Sequence, residues 1–298
     1  MRCTNSYALK TELVESSGVA DVDDFLFAMV NILALGVGER LRSIFLIGSY
    51  ADGSYAPGSD IDCCFIWKAG TDEATIRRGT SLRDHLCAAA GRWVDPMWNG
   101  TERPFYDERT VEFPCGPILR TAVRERSRLL WGDDIRSRIP PPRQEDMLAD
   151  VLAAPLNWIR QYHYGSLDAP ISHPLTDPAP DRPDRGYSKP HKMPLFAIHI
   201  ARALVFLETG EFLFDKRLVP DALAATGSAE WAGRLRDLAN ARYQALSDAE
   251  RGQQCLKTCK WITAFQNRFL EVLMARGIDL SGRGKGESSN QSEEAAHG

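Results

Sequence analysis

Two aspartates one residue apart, Asp60 and Asp62, stand at the head of an otherwise apolar run that continues Cys63, Cys64, Phe65, Ile66, Trp67. Side chains alternate across a strand, so both carboxylates face one side, with Cα atoms roughly 6–7 Å apart. Ile61, Cys63 and Phe65 face the other side and a core. Two such carboxylates repel each other and lose hydration unless a cation sits between them. Mg2+ suits the position, because it is a hard ion that takes oxygen ligands and keeps places for water and phosphate. Upstream, the apolar run Ile44, Phe45, Leu46, Ile47 breaks at Gly48-Ser49, and a loop rich in Gly, Ser and Pro leads to Ser59. Gly48 lets a ligand approach the backbone, and Ser49 begins a helical turn whose free N–H groups and dipole stabilise an anion. A phosphate cradle beside metal-binding carboxylates is a site for moving a nucleotidyl or phosphoryl group. Alone, a Gly-Ser pair is usually a turn and Asp-x-Asp is common on solvated strand ends. Their combination in a strand–turn–strand context favours the chemical reading.

Gly48-Ser49, Ser59, Asp60 and Asp62 resemble the motif of the DNA polymerase beta-like nucleotidyltransferase superfamily. Within it, the chain is most similar to small bacterial nucleotidyltransferases that include aminoglycoside adenylyltransferases. The resemblance covers about the first half of the chain. It implies that Asp60 and Asp62 hold Mg2+ and that Gly48, Ser49 and Ser59 bind the nucleotide. It also implies a third acidic residue on the next strand, either a metal ligand or the base toward the acceptor hydroxyl. Asp95, in Arg92 to Trp98, fits that order, since an extended residue before Pro96 suits a strand. The alternative for Asp95 is a turn-forming Asp-Pro pair.

The elements that must position these residues follow from periodicity. Asp21 to Leu41 has helical spacing of Phe25, Met29, Ile32 and Leu33, with Asp21 as its cap. Asp72 to Ala90 reads as a second helix ended by Gly91, and Pro96 puts the third strand at or near an edge. Residues 99–116 read as loop, Pro117 onward as helix, and Ser127 to Trp131 as a last strand. Arg120, Arg124 and Arg128 share a face that is ordinarily solvated; steering of triphosphate is the sharper alternative. Pro140-Pro141-Pro142 marks a boundary, after which helices are expected over Gln144–Tyr164, His191–Leu207, Ala229–Leu246 and Asp248–Arg276. A Thr-Gly-Glu segment at Thr209–Glu211, with Lys216 after it, is similar to one in the helical domains of aminoglycoside adenylyltransferases. Residues 165–190 form a long Pro- and Asp-rich loop, ending in the basic cluster Ser188–Lys192, and the polar tail 281–298 is expected to be disordered.

The totals fit this picture. A chain of 298 residues with 44% hydrophobic and 26% charged residues and net charge −4 is globular, with two domains as the prior, and is not a general nucleic-acid binder. Leu195 to Leu207 is interrupted by His199 and Arg202, so no span or membrane partner is expected. Seven cysteines without framework spacing suit a reducing, cytoplasmic setting; Cys255 and Cys259 lack partners for a zinc site.

The expected fold is α/β (α+β), a small mixed sheet flanked by helices over residues 1–140, then a helical substrate-binding domain over 141–280, with the acceptor in the cleft between. The expected reaction moves a nucleoside monophosphate from a nucleoside triphosphate, ATP by resemblance, to a hydroxyl of a small molecule such as an aminoglycoside, releasing pyrophosphate. Competing readings are modification of a macromolecule, such as a tRNA 3′ end or a protein as in toxin-like relatives, and a non-enzymatic nucleotide-binding relative. The acceptor and the oligomeric state are not legible.

Overall fold

Four apolar stretches pair into one mixed sheet, and two helical layers cover its faces. The computed structural model describes residues 12–56, 59–107, 115–163, 192–242, 244 and 247–278. The 165–190 loop, with all of its basic end except Lys192, and the 281–298 tail lie outside them. Contacts divide the chain into two compact units, Met1–Ala154 with Ala201–Ser247 and Pro155–Ile200 with Asp248–Gly298.

In the first unit, α1 (Ala20–Val37) leads through a short 3-10 turn to β1 (Leu41–Ile47), and α2 (Gly48–Asp52) follows directly. Then come β2 (Ile61–Trp67), α3 (Glu73–Ala90), β3 (Val94–Thr101), α4 (Arg103–Tyr106), α5 (Pro117–Arg126) and β4 (Arg128–Gly132). The strand order is β3-β2-β1-β4, with β1 antiparallel to β2 and β4 and with β2 parallel to β3. As Pro96 requires, β3 is an edge strand, and its register shifts just after Pro96.

The period of two sorts the strand residues between two cores. Ile44, Leu46, Ile61, Cys63, Phe65 and Trp67 pack on α1 and α3 through Phe25, Met29, Leu33 and Cys87. Phe45, Ile47, Cys64 and Ile66 pack on the other side with Trp98, Phe105, Leu119 and Val123. Buried on both faces, β1 and β2 read as near-continuous apolar runs.

Helix ends follow local chemistry. Asp72 caps α3 by accepting a hydrogen bond from the Thr75 N–H at 2.8 Å, and Gly91 closes it at φ 61°. Asp21 is not a cap: α1 begins at Ala20, and Asp23 instead accepts from the Ser17 N–H at 2.7 Å. The 99–116 stretch is not simply loop, since β3 runs to Thr101 and α4 follows. Arg120 departs from the solvated-face expectation. It is 2% exposed, and its guanidinium donates to the Asp107 carbonyl.

The rest of the described chain is helical: α6 (Gln144–His163), α7 (Lys192–Thr209), α8 (Val219–Ala225), α9 (Ala229–Arg242) and α10 (Asp248–Ala275). In the second unit, Ile262, Phe265, Phe269 and Leu273 make the buried stripe of α10. Among the described residues, no helix is long and apolar enough to cross a membrane.

Candidate active site

The carboxylates gather where β2 and β3 begin. β2 starts at Ile61, so Asp60 is the exposed residue just before the strand rather than within it. Asp62 is half-buried inside β2, and the register places it opposite Ile47 on β1 and Asp95 on β3. Asp95 is therefore a strand residue, not the corner of an Asp-Pro turn. Alternation puts Asp62 and Asp95 on the sheet face of Cys64 and Trp98, away from α1 and α3.

The electrostatics are those of crowded anions. Burial pushes the Asp62 carboxyl up to about 7, the charge of Lys216 opposes this, and Asp95 and Asp60 add to it. A carboxylate in this state gains from any cation that enters. Among the described residues, no three His, Cys, Asp or Glu side chains converge closely enough to cage a metal unaided. Mg2+ ordinarily binds through one or two carboxylates plus substrate phosphates rather than in an all-protein cage, so the donor set fits that ion.

Gly48 abuts the Asp62 carboxylate. It opens α2 with φ 66°, and a Cβ built there would lie 2.2 Å from Asp62 Oδ2. The position needs glycine twice over, for its left-handed backbone and for the oxygen beside it. Ser49 follows, half-buried, in the first turn of α2. The far end of α2 is held to β4 by Arg128, whose Nε donates to the Ala51 carbonyl at 2.8 Å.

The loop between α2 and β2 is tied by its own polar groups. The Ser54 N–H donates to Asp52 Oδ1 at 2.9 Å, and Tyr50 and Tyr55 stack with centroids 4.9 Å apart. Ser59 joins this framework. Its hydroxyl oxygen accepts from the Ala56 N–H at 2.8 Å, and its N–H donates to the Ala56 carbonyl at 2.9 Å. Ser59 thus closes the loop that delivers Asp60.

Residues 35–106 match the family model of the nucleotidyltransferase domain. This stretch is a nucleotidyltransferase domain. It carries Gly48, Ser49, Ser59, Asp60, Asp62 and Asp95, and its class makes the chain a transferase. No curated protein matches the chain. Among solved structures, it is similar to spectinomycin adenyltransferase AAD(9) from Enterococcus faecialis with ATP and spectinomycin. That likeness is 10% identical over 80% of this chain and 98% of the other, with a TM-score of 0.49. It is also similar to a mutant of the toxin-antitoxin MntA-HpeT, at 20% identity over 48% of this chain and 98% of the other, with a TM-score of 0.27. A toxin-antitoxin structure with AMP-PNP is 23% identical over the same shares, with a TM-score of 0.25.

Lys216 lies well outside the nucleotidyltransferase domain, yet its charge acts on Asp62. The motif in the first half of the chain gives no sign of it. The one signal is the Thr-Gly-Glu segment upstream of that lysine.

Proposed function

We propose that the chain transfers a nucleoside monophosphate, AMP from ATP, to a hydroxyl of a small molecule such as an aminoglycoside, with release of pyrophosphate. The observation that carries this reading is Asp62: a half-buried carboxylate raised to about 7, set opposite Asp95 in the β2–β3 register and against Gly48. Asp60 and Asp62 hold Mg2+, and Asp95 either completes the ligand set or takes the acceptor's proton. Bound there, the ion would supply positive charge that offsets the charge developing on the phosphates during transfer. Gly48 and Ser49 receive the β- and γ-phosphates at the start of α2, and Ser59 supports them by fixing the approach to Asp60. Lys216 supplies a positive charge to the triphosphate from the α7–α8 connection. The helical residues 141–280 serve the acceptor.

The experiment is a label-transfer screen. ATP labelled at the α-phosphate or at the γ-phosphate is incubated with the purified chain, Mg2+, an aminoglycoside and spectinomycin panel, and tRNA. Transfer of α-label but not γ-label to a small molecule supports the reading. Transfer of γ-label would make the chain a kinase instead. Label found only on tRNA would move the acceptor to the macromolecular class.

A further inference from the structure

We propose that Trp93 is a specificity residue for the acceptor: its exposed indole receives an ammonium-bearing saturated ring beside Asp95. This deepens the transferase reading above and rests on it.

Trp93 stands immediately before β3, which begins at Val94. Its two neighbours fix the way it faces. Arg92 pairs with Asp21 on α1, and Val94, 1% exposed, packs in the core that α1 and α3 share. Side chains alternate along an extended chain, so Trp93 between them points to the opposite face. That face carries Asp95, two residues on, and Asp62, the register partner of Asp95. Asp60 and Trp93 each directly precede a member of the Ile61–Val94 pair, so the indole stands at the head of the strands with the acids. It is 61% exposed. Trp67 and Trp98, on β2 and β3, behave differently. They are 1% and 7% exposed, and their N–H groups donate to Asn99 Oδ1 at 2.9 Å and to the Gly100 carbonyl at 3.0 Å. Among the described residues, no ring stacks on Trp93 and no cation lies over it. Single exposed apolar side chains are common on protein surfaces. What sets Trp93 apart is the face it shares with the carboxylates.

The order of the strands decides which reactant meets the indole. β2, with Asp62, lies between β1 and β3. Gly48, at the end of β1, is therefore on one side of Asp62, and Asp95 is on the other. In an in-line displacement, the entering hydroxyl and the leaving pyrophosphate lie on opposite sides of the phosphorus. With the β- and γ-phosphates at Gly48 and Ser49, the hydroxyl enters from the β3 side, over Asp95 and Trp93. Charge then decides the acceptor's class. Carboxylates and a triphosphate outweigh one divalent ion, so the loaded site stays anionic and draws a cation. Indole is the best aromatic partner for an ammonium group, and its apolar surface suits the carbon face of the ring that carries it.

The test is calorimetry on protein saturated with Mg2+ and α,β-methylene ATP, which cannot give up AMP. The aminoglycoside and spectinomycin panel is titrated into the parent, and the tightest member is carried to the variants. Trp93→Ala and Trp93→Leu should each weaken that member about tenfold, and Trp93→Phe less, the order expected of a cation over an aromatic face. Affinity for α,β-methylene ATP should be unchanged in all three, and all three should fold, because the side chain they alter is exposed. Parent-like acceptor binding by Trp93→Leu would reduce the residue to an apolar contact and overturn the proposal. Unchanged acceptor binding by Trp93→Ala would overturn it too, as would a loss of nucleotide affinity in place of acceptor affinity. Should no panel member bind the parent, the small-molecule reading itself fails, and the role of Trp93 with it.

Discussion

Gly48 and Asp62 are packed so closely that a methyl group on Gly48 would come within 2.2 Å of the Asp62 carboxylate. The turn that opens α2 and the strand that carries the acid are therefore built as one unit. Gly48→Ala has to move Asp62 or α2, and it also places a side chain at φ 66°. Strain of this kind costs about 1–3 kcal/mol. The expected result is a protein that still folds, with a lower melting temperature and with Mg·ATP binding and transfer lost beyond what its stability explains. Thermal unfolding and calorimetry on one preparation check both parts.

The pH dependence of stability follows from Asp62, whose folded value of about 7 lies far above that of an unfolded aspartate. Between about 4 and 7, the folded protein holds a proton that the unfolded chain has released. Stability of the metal-free protein should therefore fall as pH rises through that window and level off above it. Asp62→Asn should remove this part of the slope. Added Mg2+ should stabilise the parent most above pH 7, where the carboxylate is ionised, and the mutant much less. Denaturant unfolding across the pH range measures it.

Asp95 faces Asp62 across a parallel strand pair, and its charge helps hold the Asp62 proton. Asp95→Asn is expected to lower the Asp62 value in part, with burial still holding it above the ordinary aspartate range, seen by carboxyl-carbon NMR titration. Transfer should fall as well. A chemical step reduced by about 10²–10⁴-fold with Mg·ATP affinity intact marks Asp95 as the base; weakened Mg2+ dependence marks it as a ligand.

Gly79 lets α3 approach the sheet. A Cβ there would lie 2.4 Å from Trp67 Cη2, and Trp67 is 1% exposed and tied through Nε1 to Asn99 at 2.9 Å. Alanine gains about 1 kcal/mol in helix propensity, but overpacking a fixed ring costs about 1–3 kcal/mol. Gly79→Ala should be destabilising on balance, with the ATP site unaffected, as judged by chemical unfolding beside ATP binding.

Much of this was legible where local chemistry and tertiary packing agree. Gly48-Ser49 and Asp62 sit on or beside strands buried on both faces, so the apolar runs around them are unambiguous. Asp72 and Gly91 bound α3 because caps are local. The errors came where a distant partner decides. β1 begins at Leu41, ahead of the apolar run starting at Ile44, because Arg42 within it finds Glu102 and Asp133 at 3.5 and 3.2 Å. β3 continues through Asn99 because that polar side chain serves Trp67 and Thr80. Arg120 looked solvated because the carbonyl that receives it lies in another segment. That the charge of Lys216 acts on Asp62 is a product of the fold, and the sequence carries only the Thr-Gly-Glu segment upstream as a sign of it.

Pyrophosphate release tests whether transfer depends on a metal held at Asp60 and Asp62. Parent, Asp60→Asn and Asp62→Asn proteins are compared at saturating Mg2+ and ATP with the acceptor found in the label screen. The mutants are expected to fold and to release pyrophosphate at least about 10²-fold more slowly, the scale seen when one group that stabilises developing charge is removed. Release from either mutant at the parent's rate would contradict that dependence.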